Sequence, residues 1–166
     1  SLRSFDGTVA ELVAKMFDPS LKIEDLAWLR EEWSGKLVVK GIQSVADAQR
    51  VVDAGADALV VSNHGGRQLD RAPTPLRLLP EVAAAVGDRA EIFLDTGILS
   101  GADVLAAVGL GADACMVGRA YLYGLMAGGE RGVDRMLQVM RAEAVRTMQL
   151  TGVSTVQELR GRVRLG

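Results

Sequence analysis

Apolar positions along the chain fall into two spacings. Four short runs, Leu37–Val39, Ala58–Val61, Ile92–Leu94 and Ala114–Val117, have strand length and no polar interruption. That pattern predicts parallel strands covered on both faces. Around them, apolar residues recur at helical spacing. Thr8–Met16 and Ile23–Trp33 precede the first run, Leu76–Val86 lies in the middle, and Ala120–Ala127 and Gly132–Leu150 follow the last. Strands alternating with helices predict four strand–helix units in series, and so a parallel sheet with right-handed crossovers.

The chain also repeats itself. Lys40–Ser62 (KGIQSVADAQRVVDAGADALVVS) aligns without a gap on Thr96–Gly118 (TGILSGADVLAAVGLGADACMVG). In each copy a strand ends in a polar residue and a glycine turn. Ser44 or Ser100 then stands where a helix N-cap belongs, able to accept from free backbone N–H groups. A short helix follows and stops at the glycine of GAD, which suits a left-handed C-cap. An open flavodoxin-like sheet competes with this reading, but that order normally has five strands. The two-unit repeat and the polar strand exits favour an α/β fold that is the C-terminal half of a (β/α)₈ TIM barrel, four parallel βα units with flanking helices. Residues 1–166 read as a single segment: 1–35 a helical lead-in, 36–128 the barrel strands five to eight with their helices, and 129–166 terminal helices and a tail.

Composition narrows the function. Of 166 residues, 49% are hydrophobic and 24% charged, as in a globular protein with a real core. A net charge of -2 argues against nucleic acid as a partner, because phosphate backbones need a basic face. The tail Arg160, Arg162, Arg164 reads as a solvated end. One cysteine cannot close an internal disulfide, which predicts a reducing, cytoplasmic setting, with attachment at the inner face of the membrane as the variant. No metal site is expected. Cys115 reads as a small core residue, and Trp28 and Trp33 as helix core or edge residues without chemistry.

Barrel active sites form at the C-terminal strand ends. The exits read Lys40, then Ser62–Arg67 (SNHGGR), then Asp95–Gly97 (DTG), then Gly118–Arg119. His64 is the single histidine. It follows a buried strand and precedes two glycines that leave space above it, and its near-neutral titration suits a general base. Arg67 can grip a carboxylate through two parallel hydrogen bonds, or pair with Asp70 at the surface. A lysine fixed at a strand exit, Lys40, can stabilise developing negative charge. Gly118 and Arg119 open a helix whose N–H groups suit a phosphate. Asp95-Thr96-Gly97 has the wording of the aspartic-protease triplet, but those enzymes need two such carboxylates side by side.

Taken together, VVSNHGGRQLD (Val60–Asp70), LVVKG, GADACMVGRAYLYGLMAGGE and RTMQLTGV resemble the FMN-dependent L-2-hydroxy-acid oxidising family. That family includes glycolate oxidase, lactate oxidase, mandelate dehydrogenase and flavin L-lactate dehydrogenases. The DTGI-x-SGAD wording most resembles a bacterial L-lactate dehydrogenase branch. The resemblance covers the chain but only the second half of the family's flavin domain. It implies FMN as cofactor, His64 as the base and Arg67 as the holder of the substrate carboxylate. Lys40 would face the polar edge of the flavin with Ser62 near it, and Asp95, Gly97, Gly118 and Arg119 would surround the ribityl phosphate. The implied partners are a small 2-hydroxy acid, the missing N-terminal half of the same protein, further copies in a homo-oligomer, and a quinone or cytochrome acceptor. Ser1–Gly7 would sit in the family's mobile loop ahead of the fifth strand.

Two departures stand out. Thr96 replaces a family glycine, and Leu99 stands where the family has an arginine that helps bind phosphate. Two other functions compete: a phosphate-binding isomerase or aldolase barrel without redox chemistry, and a non-catalytic half-barrel that needs its other half.

Overall fold

Four parallel strands lie in chain order in one sheet: β1 (Val38–Ile42), β2 (Ala58–Val61), β3 (Glu91–Asp95) and β4 (Ala114–Met116). The computed structural model describes residues 7–166. The expectation placed on Ser1–Gly7 therefore falls, except for Gly7, outside the described residues. Helices α1 (Val9–Met16) and α2 (Asp25–Glu32) precede the sheet. Helices α3 (Val45–Asp53), α4 (Pro75–Val86) and α5 (Gly101–Gly109) connect its strands, and α6 (Arg119–Thr151) follows it. This is the expected succession of βα units, half the strand count of a closed barrel.

Alternation along the strands sorts the side chains onto two faces. Leu59, Val61, Ile92 and Leu94 point to the helices and are sealed against Ala48, Val51, Leu79, Val82, Val86 and Ala107. Truncating one of these, Leu79 for instance, costs about 2–5 kcal/mol through lost burial and a cavity. The opposite face carries Val38, Lys40, Val60, Phe93, Asp95 and Met116. On the two edge strands this face is open, with Val38 45% and Met116 42% exposed. The expectation that all four strands are covered thus holds for β2 alone. Among the described residues β4 pairs with β3 alone, and Cys115 is half-buried, packed against the core as expected but not sealed within it.

Local devices follow the repeat. The Ser44 hydroxyl accepts the Asp47 N–H at 3.0 Å, and the Ser100 hydroxyl that of Asp103 at 3.2 Å. Both helices end before a glycine at positive φ, Gly55 at 95° and Gly111 at 115°. The GAD aspartates are a second shared device. Asp57 accepts the N–H of Leu37 at 2.8 Å, and Asp113 that of Ile92 at 2.8 Å, each tying the start of one strand to the start of the next. An arginine clamps each: Arg30 on Asp57 at 2.8 Å and Arg160 on Asp113 at 2.6 Å. Arg160 is therefore anchored, not a solvated end. Trp28 and Trp33 are exposed.

Two helices expected at the C-terminus are joined in α6. Non-helical φ/ψ at Gly128 and Gly129 turns the chain there, and Gly124 and Gly132 then pack backbone to backbone. Only glycines fit that crossing.

Candidate active site

The C-terminal strand ends surround a cavity of about 530 Å³. Lys40, His64, Arg67, Asp95, Gly97, Gly118 and Arg119 all line it. The polar residues read from four separate strand exits thus share one mouth. Val13 and Phe17, four apart around the end of α1, close part of its rim with Leu99, Met116 and Leu122.

The floor is a three-residue network. Register pairs Lys40 with Val60, and Val60 with Phe93. Two residues further on, Ser62 and Asp95 therefore point the same way as Lys40. The Lys40 ammonium donates to Asp95 Oδ2 at 2.9 Å and to Ser62 Oγ at 3.2 Å. Ser62, fully buried, donates to Asp95 Oδ2 at 2.5 Å. Burial alone would raise the Asp95 carboxyl, but hydrogen bonds from Ser62 and Lys40, with the Lys40 charge, hold it below the usual carboxylate range. Lys40 does not end its strand: β1 runs on to Ile42 past an irregularity at Gly41.

Above this floor, Asn63–Arg67 forms a tight loop with His64, Gly65 and Gly66 at φ 58°, 73° and 71°. The imidazole lies against Gly41, where a Cβ would stand 2.8 Å from its Cε1. Nδ1 of His64 is buried with no partner among the described residues. Among the described residues Nε2 has no hydrogen-bond partner and does not share the burial of Nδ1, and His64 lines the cavity. Arg67 is exposed and forms no ion pair among the described residues, so the expected alternative pairing with Asp70 does not occur.

The far end of the cavity is a cradle of bare backbone. At Gly97 and Gly118, which line the cavity, an added Cβ would meet nothing within 4 Å. Gly118 caps α6 with no side-chain hydrogen bond, leaving first-turn N–H groups open to an anion. The Arg119 guanidinium reaches to 3.8 Å from the position of a Cβ on Gly65. Asp95 lines the same cavity and is ion-paired to Lys40 at 2.9 Å. Leu99, 57% exposed, puts an apolar side chain at its edge.

One contact beside the base escapes a reading of motifs: Thr96, at φ 87°, accepts the Gly65 N–H through Oγ1 at 3.0 Å. Gln43, just past β1, buries an Oε1 with no partner among the described residues but is not among the residues lining the cavity. Among the described residues no cluster of His, Cys and carboxylates could hold a metal ion.

A family model described as FMN-dependent dehydrogenase matches residues 3–164. A Mycobacterium tuberculosis protein provisionally named as an L-lactate dehydrogenase is 57% identical over 98% of this chain and 39% of its own length. A pre-mycofactocin synthase of the same species is 49% identical over 87% of this chain and 36% of its own. The crystal structure of (S)-mandelate dehydrogenase, a monotopic membrane protein, superposes with a TM-score of 0.86 at 42% identity, covering 92% of this chain and 40% of that one. The chain spans about two-fifths of the length of the relatives it matches.

Proposed function

The chain belongs to the FMN-dependent dehydrogenase family, and on that premise we propose that it carries the catalytic base and substrate clamp of an enzyme oxidising an L-2-hydroxy acid, best L-lactate, to the 2-keto acid. One observation carries the reading: the His64 imidazole, the Arg67 guanidinium, without an ion pair among the described residues, and the Lys40 ammonium line a single cavity. A phosphate-binding barrel without redox chemistry needs the glycine cradle but has no use for that trio.

The residues present fit FMN. The bare backbone at Gly97 and Gly118 leaves room for a bulky anion, with α6 and Arg119 supplying positive potential. Lys40, held by Asp95 and Ser62, fixes a cation at the opposite end, suited to the polar edge of an isoalloxazine. When bound, FMN supplies the two-electron sink for the substrate carbon. Arg67 grips the substrate carboxylate in bidentate fashion, which orients the hydroxyl-bearing carbon. His64 Nε2 accepts the hydroxyl proton as that carbon is oxidised. Its buried Nδ1 has no acceptor within the described residues, which supports a partner group from outside this chain. The open edges of β1 and β4, with Val38 and Met116 uncovered, fit a preceding half-barrel in that place.

No helix among the described residues is long and apolar enough to cross a membrane. Peripheral attachment and a quinone or cytochrome acceptor belong to the same proposal, given a membrane-associated relative. The test is anaerobic mixing of the flavin-loaded full-length protein with L- and D-2-hydroxy acids. L-Lactate bleaches the flavin band, D-lactate does not, and His64→Gln slows bleaching on the order of 10²–10⁴-fold. A flavin that no L-2-hydroxy acid reduces overturns the reading.

A further inference from the structure

We propose that Thr96 is a positioning residue for His64: its hydroxyl fastens the left-handed loop carrying the imidazole to the exit of β3. The proposal rests on the hydroxy-acid reading for its catalytic consequence, but the tie itself can be measured without turnover.

The loop needs fastening. His64, Gly65 and Gly66 occupy the left-handed region in succession. Glycine enters it freely, whereas histidine does so at a cost of about 1–2 kcal/mol. A run of this kind relaxes unless its N–H groups are held. The His64 N–H is accepted by Ser62 Oγ at 3.0 Å, and the Gly66 N–H by Asn63 Oδ1 at 3.0 Å. Asn63 Oδ1 belongs to the loop itself, and Ser62 Oγ stands at its root, hydrogen-bonded to Lys40 and Asp95. The Gly65 N–H goes instead to Thr96 Oγ1, thirty-one residues away on the next strand. Among the described residues it is the one N–H of the three held from outside β2 and its loop.

Thr96 itself is out of place by local preference. It is β-branched at φ 87°, where such residues are outliers. A glycine would sit there without strain, as it does at neighbouring Gly97, φ 85°. What threonine adds over glycine is a side chain, and the group of that side chain in use is the hydroxyl. A strained residue that ties the Gly65 N–H to the neighbouring strand exit, next to the base, is a device of position. With Gly41 against one side of the imidazole and the Gly65–Thr96 bond behind the loop, the base is held from two elements.

Three variants of the full-length protein separate this role from packing. Thr96→Ser keeps the acceptor, Thr96→Val keeps the branched shape without it, and Thr96→Gly removes both acceptor and strain. For the valine and glycine variants we expect kcat for L-2-hydroxy-acid oxidation to fall about 10- to 100-fold, with KM within about threefold because Arg67 is untouched. The serine variant stays within about twofold of wild type. Thr96→Gly keeps or raises Tm while losing rate, a split that a merely structural residue does not give. Hydrogen exchange in the segment 62–67 is faster in the valine and glycine variants and unchanged in serine. Exchange unaltered by Thr96→Val overturns the tie whether or not the protein turns over. Faster exchange with unaltered kcat overturns the catalytic consequence. A wild-type flavin that no 2-hydroxy acid reduces defeats the hydroxy-acid reading and with it the kinetic role, leaving exchange to decide the tie.

Discussion

A methyl group placed on Gly41 would stand 2.8 Å from Cε1 of His64, so the imidazole rests directly on bare backbone of the neighbouring strand. Gly41 has φ 99°, a conformation that L side chains rarely adopt. Gly41→Ala therefore combines backbone strain of about 1–3 kcal/mol with a displaced base. A shift near 1 Å is enough to cost about 10²-fold in rate. We expect kcat to fall by that order while flavin content is retained, since no cradle residue is touched. Absorbance of the purified variant and its reductive rate check this. Loss of flavin in proportion to rate would contradict it.

The strand-start aspartates make a second prediction, in acid stability. The Leu37 N–H, then the Arg30 and Lys36 side chains, hold the Asp57 carboxyl well below the usual carboxylate range. A group whose folded pKa is depressed contributes stability above its unfolded pKa, near 3.9, and loses it as pH falls towards the folded value. Wild-type Tm should therefore drop more steeply than that of Asp57→Asn between about pH 5 and pH 2. At pH 7 the variant should be the less stable of the two. Parallel curves across that window would show that the carboxylate charge is not what holds the β1 start.

The fold was legible because its signals are local. Ser44 and Ser100 at their caps, glycines at the GAD turns, and short uninterrupted apolar runs each act within a few residues. The repeat then multiplied the evidence. What escaped depends on neighbours distant in sequence. The hydroxyl of Thr96 matters because Gly65 comes to it from β2, and no spacing rule brings residues 31 apart together. Arg160 looked like a solvated tail residue until the chain returned it to Asp113. Burial of Cys115 turns on what lies beside β4, which the residues of β4 do not encode. The same holds for Asp95: its motif placed it at a strand exit, but its ion pair with Lys40 needs two exits distant in sequence to lie side by side.

Leu99 offers a gain-of-function test of that cradle. It lines the cavity with Arg119, more than half exposed, at the position where the family resemblance leads to the expectation of an arginine. Leu99→Arg adds a guanidinium beside the open N–H groups of α6. Exposure limits its worth, so FMN affinity should rise about three- to tenfold rather than by orders of magnitude. The gain should shrink between 50 mM and 500 mM salt, because an exposed cation is screened. Fluorescence titration of the apoprotein with FMN at both salt levels reads this. Riboflavin, which has no phosphate, should show no gain.

Cys115 tests the environment of the open edge strand. Burial, then the nearby Asp103 carboxylate, pushes its thiol up to about 11. The thiolate is the reactive form, so at pH 8 about one thiol in a thousand is ionised. Iodoacetamide labelling of the peptide containing Cys115, followed by mass spectrometry, should be slow at pH 8. It should rise about tenfold per pH unit up to pH 10, until the thiol approaches half-ionisation. Asp103→Asn removes one of the two causes and should speed labelling at pH 8. It also alters the Ser100 cap, where Asp103 accepts the Ser100 N–H at 2.8 Å, so Ser100→Ala serves as the control. Faster labelling in Asp103→Asn but not in Ser100→Ala assigns the effect to charge, and equal acceleration in both assigns it to loosening of α5.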